Sequence, residues 1–219
     1  MIERYIQYVA VERPPELETA AEARVRLGAK FPRTAVRRMT HLGLLIGSVL
    51  DGQTPGPEDA LVYATTYAET RALEDYLTGF PAASPLLFQT SIHPGGVQQV
   101  LVGRQQPLAR LWPLAGRTRL VEQALLTALL EPAARVFVVG GEERGTWMLE
   151  QGMAAARPFA FALVAAREAA GAIGRVAFVP DAAAKDEVPP SLEVFADALA
   201  RRENITWSGA GGNWAVTWL

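Results

Sequence analysis

The apolar and polar positions of this chain switch repeatedly between an alternating pattern and one of helical spacing. Ile2 to Glu12 mixes β-branched and aromatic residues in rough alternation and reads as a first strand, ended by Pro14-Pro15. Leu17 to Leu27 follows as a short helix. Pro32 with Ala35, Val36, Met39, Leu42, Ile46 and Val49 forms an apolar stripe that Asp51-Gly52 stops, which predicts one continuous helix. Ala60 to Thr66 is a compact strand, and Glu69 to Thr78 sets Ala72, Leu73, Tyr76 and Leu77 on one helical face, so a strand–helix unit is expected. Gly79 to Pro85 reads as a loop and Leu86 to Ile92 as an extended segment, after which His93-Pro94-Gly95-Gly96 turns into a helix.

The second half continues in the same manner. Leu108 to Leu114 is strand-like, and Arg117 to Leu130 is a helix with Leu120, Val121, Ala124, Leu125, Ala128 and Leu129 along one side. Leu126 and Leu130 widen that stripe beyond one face, so the helix is expected to pack on two sides. Pro132 ends it, and Arg135 to Val139 is the next strand. Phe159 to Ala165 and Arg175 to Val179 read as a hairpin through the turn containing Gly171 and Gly174. Ser191 to Arg201 is a helix, and Ile205 to Ser208 and Trp214 to Leu219 flank a glycine-rich turn as a final pair of strands. Alternating strands and helices argue for a layered α/β fold. At 219 residues, one domain over 1–219 accounts for the whole chain.

Charge and composition narrow the function. The net charge is −2, and no basic run exceeds the Arg37-Arg38 pair, so no track for nucleic-acid phosphates exists. The longest apolar stretches, 42–50 and 159–166, are too short to span a bilayer. The N-terminus lacks an export signal, and a cytoplasmic location is expected. With no cysteine and two histidines, the sequence offers no disulfide, no thiolate zinc site and no thiol nucleophile; neither a metal nor a cofactor is expected.

Several segments then fall in a telling order. Asp59 to Glu69 is similar to the strand and turn before the first long helix of β-ketoacyl synthases. Ser84-Pro85, Phe88 and Ser91-Ile92-His93 resemble the Ser-Pro, Phe, Ser-Val-His segment of the ketosynthase-like N-terminal domains, and Arg37-Arg38-Met39 opening a helix fits that subgroup. Leu111-Trp112-Pro113-Leu114-Ala115-Gly116, the helix after it and Gly140-Gly141-Glu142-Glu143 resemble the nucleophile region of thiolase-fold enzymes. The resemblance covers residues 30 to 180, one half of such an enzyme. It implies a half-thiolase fold, with αβα layers and a mixed central sheet.

The resemblance also implies a missing reaction. The interval back from Gly140-Gly141 puts Ala115 where the family carries its cysteine, so no catalytic residue is assigned. Acyl condensation needs a thiolate activated at a helix N-terminus, and a methyl group cannot replace it. By extension the chain is expected to act as a chain-length-factor-like subunit, not as an enzyme by itself. It would pair with an active β-ketoacyl synthase, shape its acyl tunnel and meet acyl carrier protein only through that complex. Type II polyketide, aryl-polyene and fatty-acid-like pathways are the settings implied. Leu108, Arg110, Trp112 and Leu114 are the expected interface; Leu87, Gln89, His93 and Gln98 are the expected pocket side. His93 reads equally as a helix-start histidine bonded to backbone, and His41 as a structural or solvated residue on a polar flank. Two other readings stay open: a small acyl-transfer or hydrolytic enzyme using Ser91 and His93, and a self-associating scaffold forming a homodimer.

Overall fold

A computed structural model describes residues 1–82 and 84–219; Ala83, inside the expected 79–85 loop, lies outside the described residues. The strands are β1 (Ile2–Glu12), β2 (Ala60–Thr65), β3 (Arg110–Ala115), β4 (Arg135–Glu142), β5 (Phe159–Ala166), β6 (Gly174–Pro180), β7 (Ile205–Gly209) and β8 (Gly212–Trp218). They form one eight-stranded sheet in the order β3-β2-β4-β5-β1-β6-β8-β7. β3, β2 and β4 are mutually parallel, and every other pairing is antiparallel. The sheet is therefore mixed, as expected.

Alternation along the central strands supplies the layering. Ala60, Val62 and Ala64 of β2, Val136 and Val138 of β4, and Phe161 and Leu163 of β5 face one core with α7 (Leu120–Leu130) and α9 (Leu192–Arg201). Leu61, Tyr63, Phe137, Val139, Ala162 and Val164 face a second core with α3 (His41–Val49) and α6 (Gly95–Gly103). Both faces of these strands are buried, which explains why β2 and β4 read as nearly unbroken apolar runs. At the far end of β4 the buried Arg4 of β1 donates to the carbonyls of Glu131, Ala133 (2.9 Å) and Ala134 (3.2 Å), satisfying the connection out of α7.

Four local expectations are corrected. The stretch from Pro32 to Val49 is split into α2 (Arg33–Val36) and α3. α2 ends at Val36, and Thr40 caps the start of α3: its hydroxyl accepts from Gly43 N at 3.1 Å, while its own N–H donates to Gln99 Oε1 at 2.8 Å. Arg37-Arg38-Met39 therefore lies between helices instead of opening one. The segment expected to be extended at Leu86–Ile92 is helical, as α5 (Pro85–Ser91), with Pro85 in its first turn, where a missing N–H costs nothing. So short an apolar run has no decisive period.

β5 and β6 do not form a hairpin. β1 lies between them and pairs with both, Tyr5 opposite Ala166 on one side and Arg175 on the other. The pairing of distant segments outweighs the local turn. His41, expected on a polar flank, is buried and bonded through Nε2 to Glu18 Oε2 at 3.0 Å. Burial holds its pKa below the ordinary imidazole value even so.

Gly141 lies where β4 passes closest to β5. A Cβ there would meet Phe159 O at 2.5 Å and Ala160 Cα at 2.9 Å, both backbone atoms that cannot swing away. Gly141→Ala is expected to lower stability by about 1–3 kcal/mol, as overpacking does, measured as a lower urea midpoint with unchanged slope.

Candidate functional site at the ends of the parallel strands

The crossover from β2 to β3 runs through α4 (Thr70–Thr78), α5 and α6, whereas the return from β3 to β4 runs through α7 on the other face. The carboxyl ends of β2, β3 and β4 thus meet at a switch in chain direction, where sheets of this kind place their sites. A cavity of about 680 Å³ opens there, lined by Thr66, Tyr67, Arg117, Thr118, Arg119 and Glu142, with the 186–193 segment opposite. Arg119, the residue before α7, has a φ of 55° and donates to Glu122 at 2.8 Å and to Asp186. Arg117 lies over the Tyr67 ring, 5.5 Å from its centre.

Carboxylates dominate this end of the sheet. Glu142 accepts from Thr65 Oγ1 at 3.1 Å, Tyr67 N at 3.3 Å and Thr66 N. Glu143 accepts from Leu42 N at 3.2 Å, Arg71 N at 2.8 Å and Ala72 N at 3.4 Å, so one side chain takes the free N–H groups of α3 and α4 together. Glu74 does the same for α8 (Trp147–Glu150), accepting from Thr146 N at 2.7 Å and Met148 N at 2.9 Å. Glu69 Oε1 takes Gly96 N at 2.8 Å and Tyr63 OH at 3.2 Å, and its Oε2 faces His93 Nδ1 at 3.4 Å. Burial pushes the pKa of both Glu142 and Glu143 up to about 7, against the pull of their backbone donors.

Ala115 is the last residue of β3 and is exposed. It does not line the cavity; the turn beyond it does, and the left-handed residue of that turn is Arg119. A small residue ends the strand ahead of the buried helix, and no thiol is present. The expected interface strand β3 is the sheet's edge, paired on one side only. Arg110 Nε donates to Glu131 Oε1 at 2.8 Å and Trp112 Nε1 to Glu131 Oε2 at 2.7 Å. Leu114 packs against the α7 core and Leu108 against the opposite one, so these four residues do not share one surface.

The expected pocket residues divide as well. Leu87 lines a cavity of about 610 Å³, whereas Gln89 and Gln98 line a neighbouring one of about 550 Å³. His93 lines neither and stacks on Tyr63, ring centres 4.9 Å apart. Ser91 Oγ donates to Phe88 O at 2.8 Å, and neither His93 nitrogen has a hydrogen-bond partner, so no Ser91–His93 dyad forms. The sequence reading missed the capping roles of Glu69, Glu74, Glu142 and Glu143. The available signal was a pair of glutamates closing an otherwise apolar strand, since charges in such a place need buried partners.

No protein-family model matches the sequence, and no curated protein matches it. Likeness is found among solved structures. A chain of a complex described as a ketosynthase (ApeO) with its chain length factor (ApeC), from Xenorhabdus doucetiae, superposes with a TM-score of 0.68 at 19% identity, covering 99% of this chain and 100% of that one. The ishigamide ketosynthase/chain length factor gives 0.55 at 16% identity over 83% of this chain and 68% of that one. A β-ketoacyl synthase from Burkholderia phymatum STM815 gives 0.54 at 13% identity, covering 84% of this chain and 65% of that one, a little under two thirds of its length.

The raised carboxyl groups have a consequence for stability. An acid whose pKa is higher folded than unfolded contributes stability in full below its ordinary value of 4.5, and this is lost as pH rises through about 7. Glu143→Gln cannot ionise, so the difference in unfolding free energy between variant and parent should shift with pH by up to ~1.4 kcal/mol per unit across that window. Urea titrations at a series of pH values measure it; parallel pH profiles for the two proteins would show that the group is ordinary.

The order of the motifs and the superposition agree on architecture: the chain has the thiolase-like fold shared by ketosynthases and chain length factors.

Proposed function

We propose that this chain is a chain-length-factor-like subunit that pairs with an active β-ketoacyl synthase and helps shape its acyl tunnel, in type II polyketide, aryl-polyene or fatty-acid-like biosynthesis. The observation that carries this reading is the end-to-end match to a chain of a ketosynthase–chain length factor complex, 99% of this chain on 100% of that one. The absence of any cysteine supports a role without covalent acyl chemistry of its own.

The edge of β3 supports a partner. Trp112 is 42% exposed, and Leu130, next to Glu131 that holds Trp112, is 63% exposed; Leu126 stands one turn earlier on α7. An unpaired strand edge beside apolar side chains is the kind of surface that a second sheet extends. A stable pairing would bury about 1,600 Å² in total. Acyl carrier protein enters this reading only through the assembled pair.

Co-expression with a ketosynthase encoded beside it, followed by size-exclusion chromatography with light scattering, is the test. A one-to-one heterodimer is expected, and Leu130→Asp should weaken it at least ~10-fold while leaving the isolated chain folded, because Leu130 has little packing to lose. A chain that elutes alone and leaves the synthase's product lengths unchanged would remove the proposal. A symmetric homodimer sensitive to the same substitution would favour the scaffold reading instead.

A further inference from the structure

The cavities that hold Leu87 and Gln98 adjoin across Arg38, Met39, Leu86 and Thr90, which line both. Their polar groups are unbalanced in one direction. Arg24 Nε and Gln99 Nε2 are buried N–H donors with no acceptor among the described residues, and Arg144 Nε has only Glu16 Oε1 at 3.6 Å. For Gln99 the orientation is fixed, because Oε1 is the atom that takes Thr40 N at 2.8 Å and Thr40 Oγ1 at 3.2 Å. Buried donors are normally paired, so orphans that line a cavity indicate an acceptor that comes from outside the chain.

The charges agree with the donors. Arg37 and Arg38 are exposed at the rim, and neither they nor Arg24 has an ion-pair partner among the described residues. The acids in the same cavity are already engaged. Glu18 is held by Arg26 at 2.6 Å and His41 at 3.0 Å, Asp75 lies 3.7 Å from Arg71, Glu16 lies 3.6 Å from Arg144, and Glu143 takes only backbone N–H groups. Three guanidinium groups, those of Arg24, Arg37 and Arg38, are left without counter-charge around the groove among the described residues.

We propose that this groove binds a small oxyanion, a carboxylate or a phosphate ester, with its charged end among Arg24, Arg37 and Arg38 and a carbonyl on its tail accepting from Gln99 Nε2. Guanidinium groups suit both oxyanions through paired N–H donors, and the amide donor sets how the tail lies. An acyl chain alone is a poor occupant, since it would leave every orphan donor unpaired. The inference stands apart from the pairing role, because its test uses only the isolated chain.

Isothermal titration calorimetry on the full chain at constant ionic strength, with chloride as background anion, tests it. The probes are inorganic phosphate, N-acetyl-O-phosphoserine amide and N-acetylaspartate amide. One-to-one saturable binding of at least one acetylated probe is expected, at least ~5-fold tighter than inorganic phosphate. Preference between the two acetylated probes identifies the oxyanion. The double variant R37A/R38A should weaken binding at least ~10-fold, as should Gln99→Glu, which keeps the acceptor for Thr40 but loses the free donor. Arg201→Ala, whose only ion pair is an exposed one with Glu203, should bind as the parent does. No saturable binding up to about 10 mM, or equal binding by R37A/R38A, overturns the proposal.

Discussion

Glu143 receives N–H groups from the first turns of α3 and α4, and no arginine or lysine lies within ion-pair distance of it among the described residues. The positive ends of helices thereby replace a counter-ion. The strand that leads to this carboxyl pairs with β5, and at Gly140 and Gly141 an added side chain would strike Phe161 or the backbone of β5. Glu142, one residue earlier, binds the turn after β2 in the same way. This carboxylate–backbone arrangement ties the starts of α3 and α4 and the turn after β2 to the end of β4.

The same arrangement borders the carboxyl ends of the parallel strands, where no thiol is present. The turn after β3 leads into the buried helix α7, and a cavity opens beside it. What faces that cavity is Glu142, already committed to three donors, and guanidinium groups from Arg117 and Arg119 tied to Tyr67, Glu122 and Asp186.

The two edges of the sheet are unequal. β7 is tied into a stacked pair of tryptophans, Trp207 and Trp214, with Trp207 Nε1 anchored on Glu122 at 3.1 Å. β3 has one partner strand, and its outward residues meet only the carboxylate of Glu131. This asymmetry concentrates unsatisfied surface at one side of the molecule, beside the exposed leucines of α7. The groove near Arg38 is a different kind of surface, with guanidinium groups that have no ion-pair partner among the described residues.

What the sequence determined by itself is the set of elements and their order. The rough alternation in Ile2–Glu12 set β1 with its bounds, the apolar stripe of Leu120–Leu130 set α7, and the segment from Ser191 to Arg201 set α9. The order of short motifs from Asp59 to Gly141 placed the layers. Where two local preferences competed, only tertiary structure decided. Leu86–Ile92 was too short for its period to choose helix, β5 and β6 were parted by β1, and the Pro32–Val49 stripe broke after Val36 to restart at Thr40, a cap held by a side chain 59 residues away. The site was less legible still. Glu143, Glu69 and Gln99 act through backbone groups far along the chain, and one-dimensional spacing holds no record of which N–H a buried carboxylate or amide will meet. Periodicity reports which face is apolar; the pairing of buried polar groups exists only once distant segments have been brought within hydrogen-bond reach.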